Sequence, residues 1–319
     1  MSWSAKVGRV LAGLLLVAQR RELNHRKFNV GEFKRWRVGA AMVTKVVELE
    51  GEGFGEFLLP DAKSQALATI GWLHAGHVGP RGGLRLSVHS FIIEIGGRRI
   101  LVDTNVGNDK RRKVPIWNKL KMPWLADLTR AGFPPETIDT VICTHLHIDH
   151  VGWNTRLDKG HWVPTFPNAR YIFVRDEYEF WRARLDDPAR AELFADSIEP
   201  VMAAGLVDLV APDAEIAPGV RLVLTPGHTE HHVAVIIESN GDSAIITGDF
   251  LHHPAQLANP SWSSTFDTSP ATSVATRVAW FAQIADKKML VLGTAFPDPS
   301  AGHIRHSASG FEFEPAASL

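Results

Sequence analysis

Three histidines and an aspartate fall within six positions of Thr144-His145-Leu146-His147-Ile148-Asp149-His150-Val151-Gly152-Trp153. The apolar run Thr140-Val141-Ile142-Cys143 comes directly before them, so a strand delivers all four polar side chains into one tight turn. Neutral imidazoles with a carboxylate are the ligand set of zinc or a similar first-row metal. The chain has 15 histidines in 319 residues, so a polar loop gathering three of them and an aspartate by chance is the weaker reading. Two later stretches repeat the design. Val220 to Leu224 runs into Thr225-Pro226-Gly227-His228-Thr229, and Ala244 to Thr247 runs into Gly248-Asp249. Either one alone reads equally well as a loop histidine or a turn-capping aspartate. Together they place three strand ends at one metal centre.

The elements that must position these residues follow from local pattern. Residues 1–37 are basic and irregular, an extension outside the main domain, which spans 38–319. Val43 to Leu49 alternates as a strand, and Arg85 to Ile95 with Arg98 to Val102 forms a hairpin across Gly96-Gly97. The second hairpin strand ends in Asp103, read as a hydrogen-bond acceptor behind the metal ligands. Trp124 to Ala131 is helical, and Asp139 to Thr144 is the strand leading to the histidine motif. A helix between two strands is the arrangement that puts ligands at a strand's carboxyl end. Trp153 to Pro167 reads as a loop, Arg170 to Val174 as a strand, and Asp176 to Leu185 as a helix, with more helix to Ala204. Ala271 to Ala285 is an amphipathic helix. Met289 to Leu292 is the last expected strand, ending in Gly293-Thr294-Ala295-Phe296-Pro297. His74 and His77 read as loop histidines, and Lys110-Arg111-Arg112-Lys113 as a solvated loop.

Composition narrows the class. Hydrophobic residues make up 45% and charged residues 22%, as in a globular enzyme with a sizeable core. A formal charge of −1 gives no field to attract nucleic acid or an acidic membrane. The apolar run from Val10 to Ala18 is too short to span a bilayer. The lone Cys143 excludes a disulfide framework, fits a buried hydrophobe, and suits a cytoplasmic location. The expected partner is a small-molecule substrate, with a homodimer compatible and no nucleic acid or stable membrane insertion.

His145-x-His147-x-Asp149-His150, then Thr225-Pro226-Gly227-His228-Thr229, then Gly248-Asp249, resembles the metallo-β-lactamase-fold hydrolase superfamily, on its lactonase and organophosphate-hydrolase side. The resemblance runs from about Val43 to about Ile304. It implies an α/β fold, a four-layer αβ/βα sandwich with the metals at one edge of two facing sheets. It also implies that His145, His147 and His228 hold a first zinc, that Asp149 and His150 hold a second, and that Asp249 bridges them. The family's last histidine should lie in the turn after the last strand, where Ala295 stands instead. An alanine methyl cannot ligate, so the second ion should bind weakly or not at all, giving one or two zinc ions per chain. His252 and His303 are the nearby histidines that would compensate.

The expected activity is hydrolysis by a metal-bound hydroxide, with Asp149 orienting the nucleophile and shuttling its proton. Trp153, His252 and Trp262, with Phe266, would line an apolar pocket for a lactone or aryl ester, with phosphotriesters also compatible. The rival readings are a degenerate, non-catalytic metal-binding member and a mononuclear-iron dioxygenase of a sulfur substrate.

Overall fold

A computed structural model describes residues 33–52, 55–308 and 310–319. The expected N-terminal extension therefore lies mostly outside the described residues. Its last part does not. Arg35–Val38 forms strand β1, with Trp36 and Val38 buried, so the domain begins earlier than residue 38. The alternation of Arg35-Trp36-Arg37-Val38 is the period-2 signal that its basic composition obscured.

Among the described residues two seven-stranded sheets face one another. The first contains β1, β2 (Ala41–Glu52), β3 (Arg85–Ile95), β4 (Arg98–Val102) and β5 (Thr140–Ile142). A separate hairpin, β6 (Thr155–Asp158) and β7 (His161–Pro164), follows β5 in the chain, within a stretch expected to be loop. The first sheet closes with β8 (Arg170–Val174) and β9 (Val207–Val210), and from β4 onward its strands run parallel. The second sheet runs in chain order: β10 (Glu215–Ala217), β11 (Val220–Leu224), β12 (Val233–Ser239), β13 (Asp242–Ile246), β14 (Leu290–Leu292), β15 (Ala301–Ser307) and β16 (Gly310–Pro315). Its one parallel pair is β13 with β14. Thus Met289 to Leu292 does not end the sheet: β15 and β16 pair beyond it. The histidine-bearing β15 has no simple apolar alternation, whereas Phe311-Glu312-Phe313-Glu314 of β16 alternates strictly, a period-2 signal beyond the last expected strand.

The layers follow from successive side chains pointing to opposite faces. Phe91, Ile93, Ile100, Val102, Ile142 and Ile172 meet Leu222, Val233, Val235, Ala244 and Ile246 between the sheets. Their neighbours Ile92, Leu101, Val141, Tyr171 and Phe173 point outward, against the helix Trp124–Arg130 and the helical segment 175–203. On the other flank Ala234, Ile236, Ile245 and Val291 pack on Phe281 and Ile284 of the helix Pro270–Ile284. Strands buried on both faces, with helices outside both sheets, make the four-layer αβ/βα sandwich.

The basic run 110–113 is a correction. Lys110 is fully buried and Arg112 nearly so, and Arg112 forms a two-pronged ion pair with Asp196 at 2.7 and 3.0 Å. A partner 84 residues away has no local signal, so the run looked like a solvated loop.

Candidate metal centre

Five strand ends open onto one edge of the sandwich. Strands β4, β5, β11, β13 and β14 deliver, at their carboxyl ends, Asp103, the 145–150 turn, His228, Asp249 and Ala295. The two sheets are tied at this edge by Val233 N–H donating to Thr144 O at 3.0 Å. Crevices outside the carboxyl ends of strands are where α/β sheets build sites.

The imidazoles are aimed by what holds their other nitrogen. His150 Nδ1 sits 2.9 Å from Asp103 Oδ2, and the other oxygen of Asp103 accepts from Thr144 N at 2.8 Å. Asp103 takes a left-handed backbone conformation (φ 57°), which an aspartate tolerates better than most residues, so as to present this carboxylate. His228 Nδ1 pairs with Asp267 Oδ1 at 2.9 Å. Both rings therefore turn Nε2 inward, a support that fixes ring orientation and raises ligand basicity. Gly248 has φ +53°, and a Cβ there would meet His232 Nε2 at 2.5 Å, so only glycine allows the turn that places Asp249. His232 Nε2 in turn accepts from the Asp249 N–H at 2.8 Å.

The inward atoms converge. Ligand atoms of His145, His147 and His228 lie within 4.8 Å of one another, and so do those of His145, His150 and Asp249. Asp249 faces both ways: Oδ2 is 3.3 Å from His228 Nε2, and Oδ1 is 3.4 Å from His150 Nε2. Asp149 Oδ2 lies 3.9 Å from His150 Nε2 and is the most exposed group of the set. His145 Nε2 and Asp249 Oδ1 are buried without a hydrogen bond among the described residues. Leaving such an atom unmade costs about 1–3 kcal/mol, more when it is charged. A cation bound among them removes that penalty, so the donors present fit a divalent metal. Burial, followed by the neighbouring imidazoles, holds His145 and His147 well below the ordinary histidine range. Both are then neutral, the form in which an imidazole ligates a metal, and His147 Nδ1 lies 3.0 Å from His228 Nε2.

Two supporting residues were not singled out from the sequence. Glu177 accepts from Leu146 N and from Thr229 Oγ1, so one carboxylate clamps the first histidine turn to the turn bearing His228. Arg190 donates to Leu146 O at 2.7 Å while its guanidinium lies 3.6 Å over the Trp181 ring. An acidic residue on the buried face of an otherwise apolar-patterned helix was the only hint, at Glu177.

These converging atoms form the floor of a cavity with largely apolar walls. Leu58, Leu86, Ile148, Leu193 and Phe266 line it, as do His252, His89 and Ala295. The pocket roles expected for Trp153 and Trp262 do not hold. Trp153 is buried in the first helical layer, stacked on Trp124 at 5.6 Å, and donates to Glu48 Oε1 at 2.6 Å. Trp262 packs with the cluster of Leu58, Leu59 and Leu86 but is not itself among the side chains lining the cavity. His303 is also excluded as a compensating ligand: it sits on β15, and its Nδ1 engages Met289 O at 3.1 Å. Ala295 is where the turn after β14 meets the cavity, and its carbonyl accepts from Ser87 N.

A two-sheet sandwich with a histidine–aspartate cluster at the strand ends is the architecture of one known class, and comparison with known proteins agrees. The metallo-beta-lactamase superfamily model matches residues 83–293. The chain belongs to that superfamily. It is 28% identical over 179 residues to the N-acyl homoserine lactonase of Bacillus cereus, covering 52% of this chain and 64% of that protein. It is 25% identical over 189 residues to a probable metallo-hydrolase of Mycobacterium tuberculosis, covering 55% and 60%. The matched stretches thus span just under two thirds of these relatives. Among solved structures, the hydrolase AbOPH of the beta lactamase superfamily superposes with a TM-score of 0.74 at 22% identity, over 92% of this chain and all of that one. The dizinc quorum-quenching lactonase AidC gives 0.71 at 22% identity, over 90% and 98%.

Proposed function

We propose that the chain is a metal-dependent hydrolase of small ester-like substrates, with a lactone the first choice and aryl esters and phosphotriesters next. The observation that carries this reading is the floor of the cavity: Asp249 turns one oxygen to His228 and the other to His150, beneath apolar walls. His145, His147 and His228 would hold one ion, Asp149 and His150 a second, and Asp249 both. Zinc suits an imidazole–carboxylate set of this kind. When bound, such ions lower the pKa of water far below its bulk value, toward about 7, and polarise a carbonyl or phosphoryl oxygen. The chain's own groups do the rest. Asp149, at the more open side of the cluster, takes the proton of the attacking water and returns it to the leaving alkoxide, so that lactone and water become a hydroxy acid. The apolar walls hold the substrate's hydrocarbon part and keep bulk water from the charged floor. With a methyl at position 295, the second ion is held by fewer donors and activity falls below that of a fully liganded relative.

The lactonase names of the relatives make N-acyl homoserine lactones the first compounds to assay, beside aryl esters and a phosphotriester. Turnover should vanish with a chelator and return with zinc. No hydrolysis of any of the three classes by metal-loaded protein would overturn the proposal, and oxygen uptake on a thiol substrate would install the dioxygenase reading instead.

A further inference from the structure

Among the described residues three arginine side chains are buried, Arg112, Arg190 and Arg277, and they differ in what meets their charge. Arg112 grips Asp196 with two nitrogens. Arg277 gives each guanidinium nitrogen an acceptor: Phe250 O, Pro260 O and Ser273 Oγ. Arg190 does neither. It is 6% exposed, its one hydrogen bond runs from Nη1 to Leu146 O, and no carboxylate pairs with it among the described residues. The nearby Glu177 is taken up by Leu146 N, Trp181 Nε1 and Thr229 Oγ1. The Nε–Nη2 edge of Arg190 is therefore unmet among the described residues, and neither nitrogen is sealed from open space.

That open space is the cavity over the histidine–aspartate floor. Arg190 lines it beside Ala189 and Leu193 of helix Pro188–Leu193. Its guanidinium rests 3.6 Å over the Trp181 ring, which itself lies 5.5 Å from the His147 ring, so the charge stands close to the floor. Burial lowers its pKa to about 10, against the pull of Glu177 and Asp187, and the group is a cation at neutral pH. A buried cation without an anion is unfavourable, and a ligand that brings the anion removes the penalty. The unmet edge also says which anion. Nε and Nη2 present two parallel N–H groups, spaced to meet both oxygens of one carboxylate.

We propose that Arg190 sets substrate specificity: its Nε–Nη2 edge takes a carboxylate that the substrate carries in addition to the bond being cleaved. Preferred substrates are then half-esters of dicarboxylic acids, or lactones bearing a free acid, with their hydrocarbon part against Ile148 and Leu193. The proposal deepens the hydrolase reading and rests on it for the reaction, whereas the anion site is testable by binding alone.

The test compares two acids and their para-nitrophenyl esters, matched in chain length: glutarate with valerate, and the glutarate half-ester with the valerate ester. Calorimetry on the zinc-loaded wild-type chain should show glutarate binding about tenfold tighter than valerate, or more, the worth of a charge-assisted hydrogen bond. The half-ester should have a KM lower by a similar factor at equal kcat. Arg190→Gln keeps a donor for Leu146 O and should erase both preferences with zinc content unchanged. Equal binding of the two acids by the wild-type chain, or a preference that survives Arg190→Gln, would overturn the inference and leave Arg190 as a brace for the 145–150 turn. Hydrolysis of neither ester would count against the hydrolase reading, and the calorimetric comparison would still decide whether Arg190 holds a carboxylate. The wild-type comparison needs no variant, so a misfolded Arg190→Gln does not shield the proposal.

Discussion

Two buried polar clusters of this chain make an instructive pair. Around Asp196, Lys110 donates to Thr155 Oγ1 at 2.5 Å and to Asp196 O at 2.7 Å, and its ammonium lies 3.7 Å over the Trp162 ring. Arg112 and Ser197 take up the Asp196 carboxylate, and of this cluster's side-chain atoms only Arg112 Nε lacks a bond among the described residues. The cluster closes on itself. It fastens the loop after β4 to the 194–198 turn of helix and to the hairpin β6–β7. Around Asp249 the opposite holds: His145, His252 and Asp249 itself leave atoms unmet, directed at shared points in space. Buried polar groups that satisfy one another serve the fold, and buried polar groups that converge without bonding await a ligand.

This contrast can be broken from either side. Replacing a converging ligand, as in His228→Ala, should abolish tight metal binding and lactone turnover with the fold retained by circular dichroism; elemental analysis reads the metal. Removing the anion of the closed cluster, as in Asp196→Ala, strands two buried cations and should cost about 3–5 kcal/mol in urea unfolding. Metal content per folded chain should stay unchanged, and a loss of metal as large as that of His228→Ala would erase the distinction. Asp267→Asn leaves the ligands in place but weakens the hold on His228 Nδ1. A loss of roughly 10–100-fold in metal affinity is expected by chelator titration.

The smallest effect concerns pH. Burial lowers the Lys110 pKa from the ordinary 10.5 to about 7, against the opposing pull of Asp196. Between those values the unfolded chain binds more protons than the folded one, so stability should rise as pH climbs from about 7 toward 10.5. Lys110→Met should flatten that rise in urea midpoints. An unaltered slope would mean that Lys110 keeps its proton through Trp162 and Asp196.

How much of this was legible follows from the range of each interaction. The hairpin across Gly96-Gly97 appears as expected, because a two-glycine turn between alternating strands is a local instruction. The histidines and aspartates that converge at the strand ends were legible for the same reason, each lying in a turn just after an apolar run. What the sequence concealed depends on distant partners. Trp153 sits beside the histidine motif yet turns inward to Glu48, 105 residues away. Glu177, His232 and Asp267 support the ligands from elements whose meeting only the closed sandwich decides. The pocket walls came from Leu58, Ile148 and Leu193, apolar side chains indistinguishable in sequence from core.

The most direct test of the metal centre is elemental analysis of the purified chain beside Ala295→His, which restores an imidazole donor at the cavity wall. About one tightly held ion in the present chain and two in the variant, with lactone turnover rising alongside, is the expected result. No tightly bound metal in either protein would contradict the account at its base.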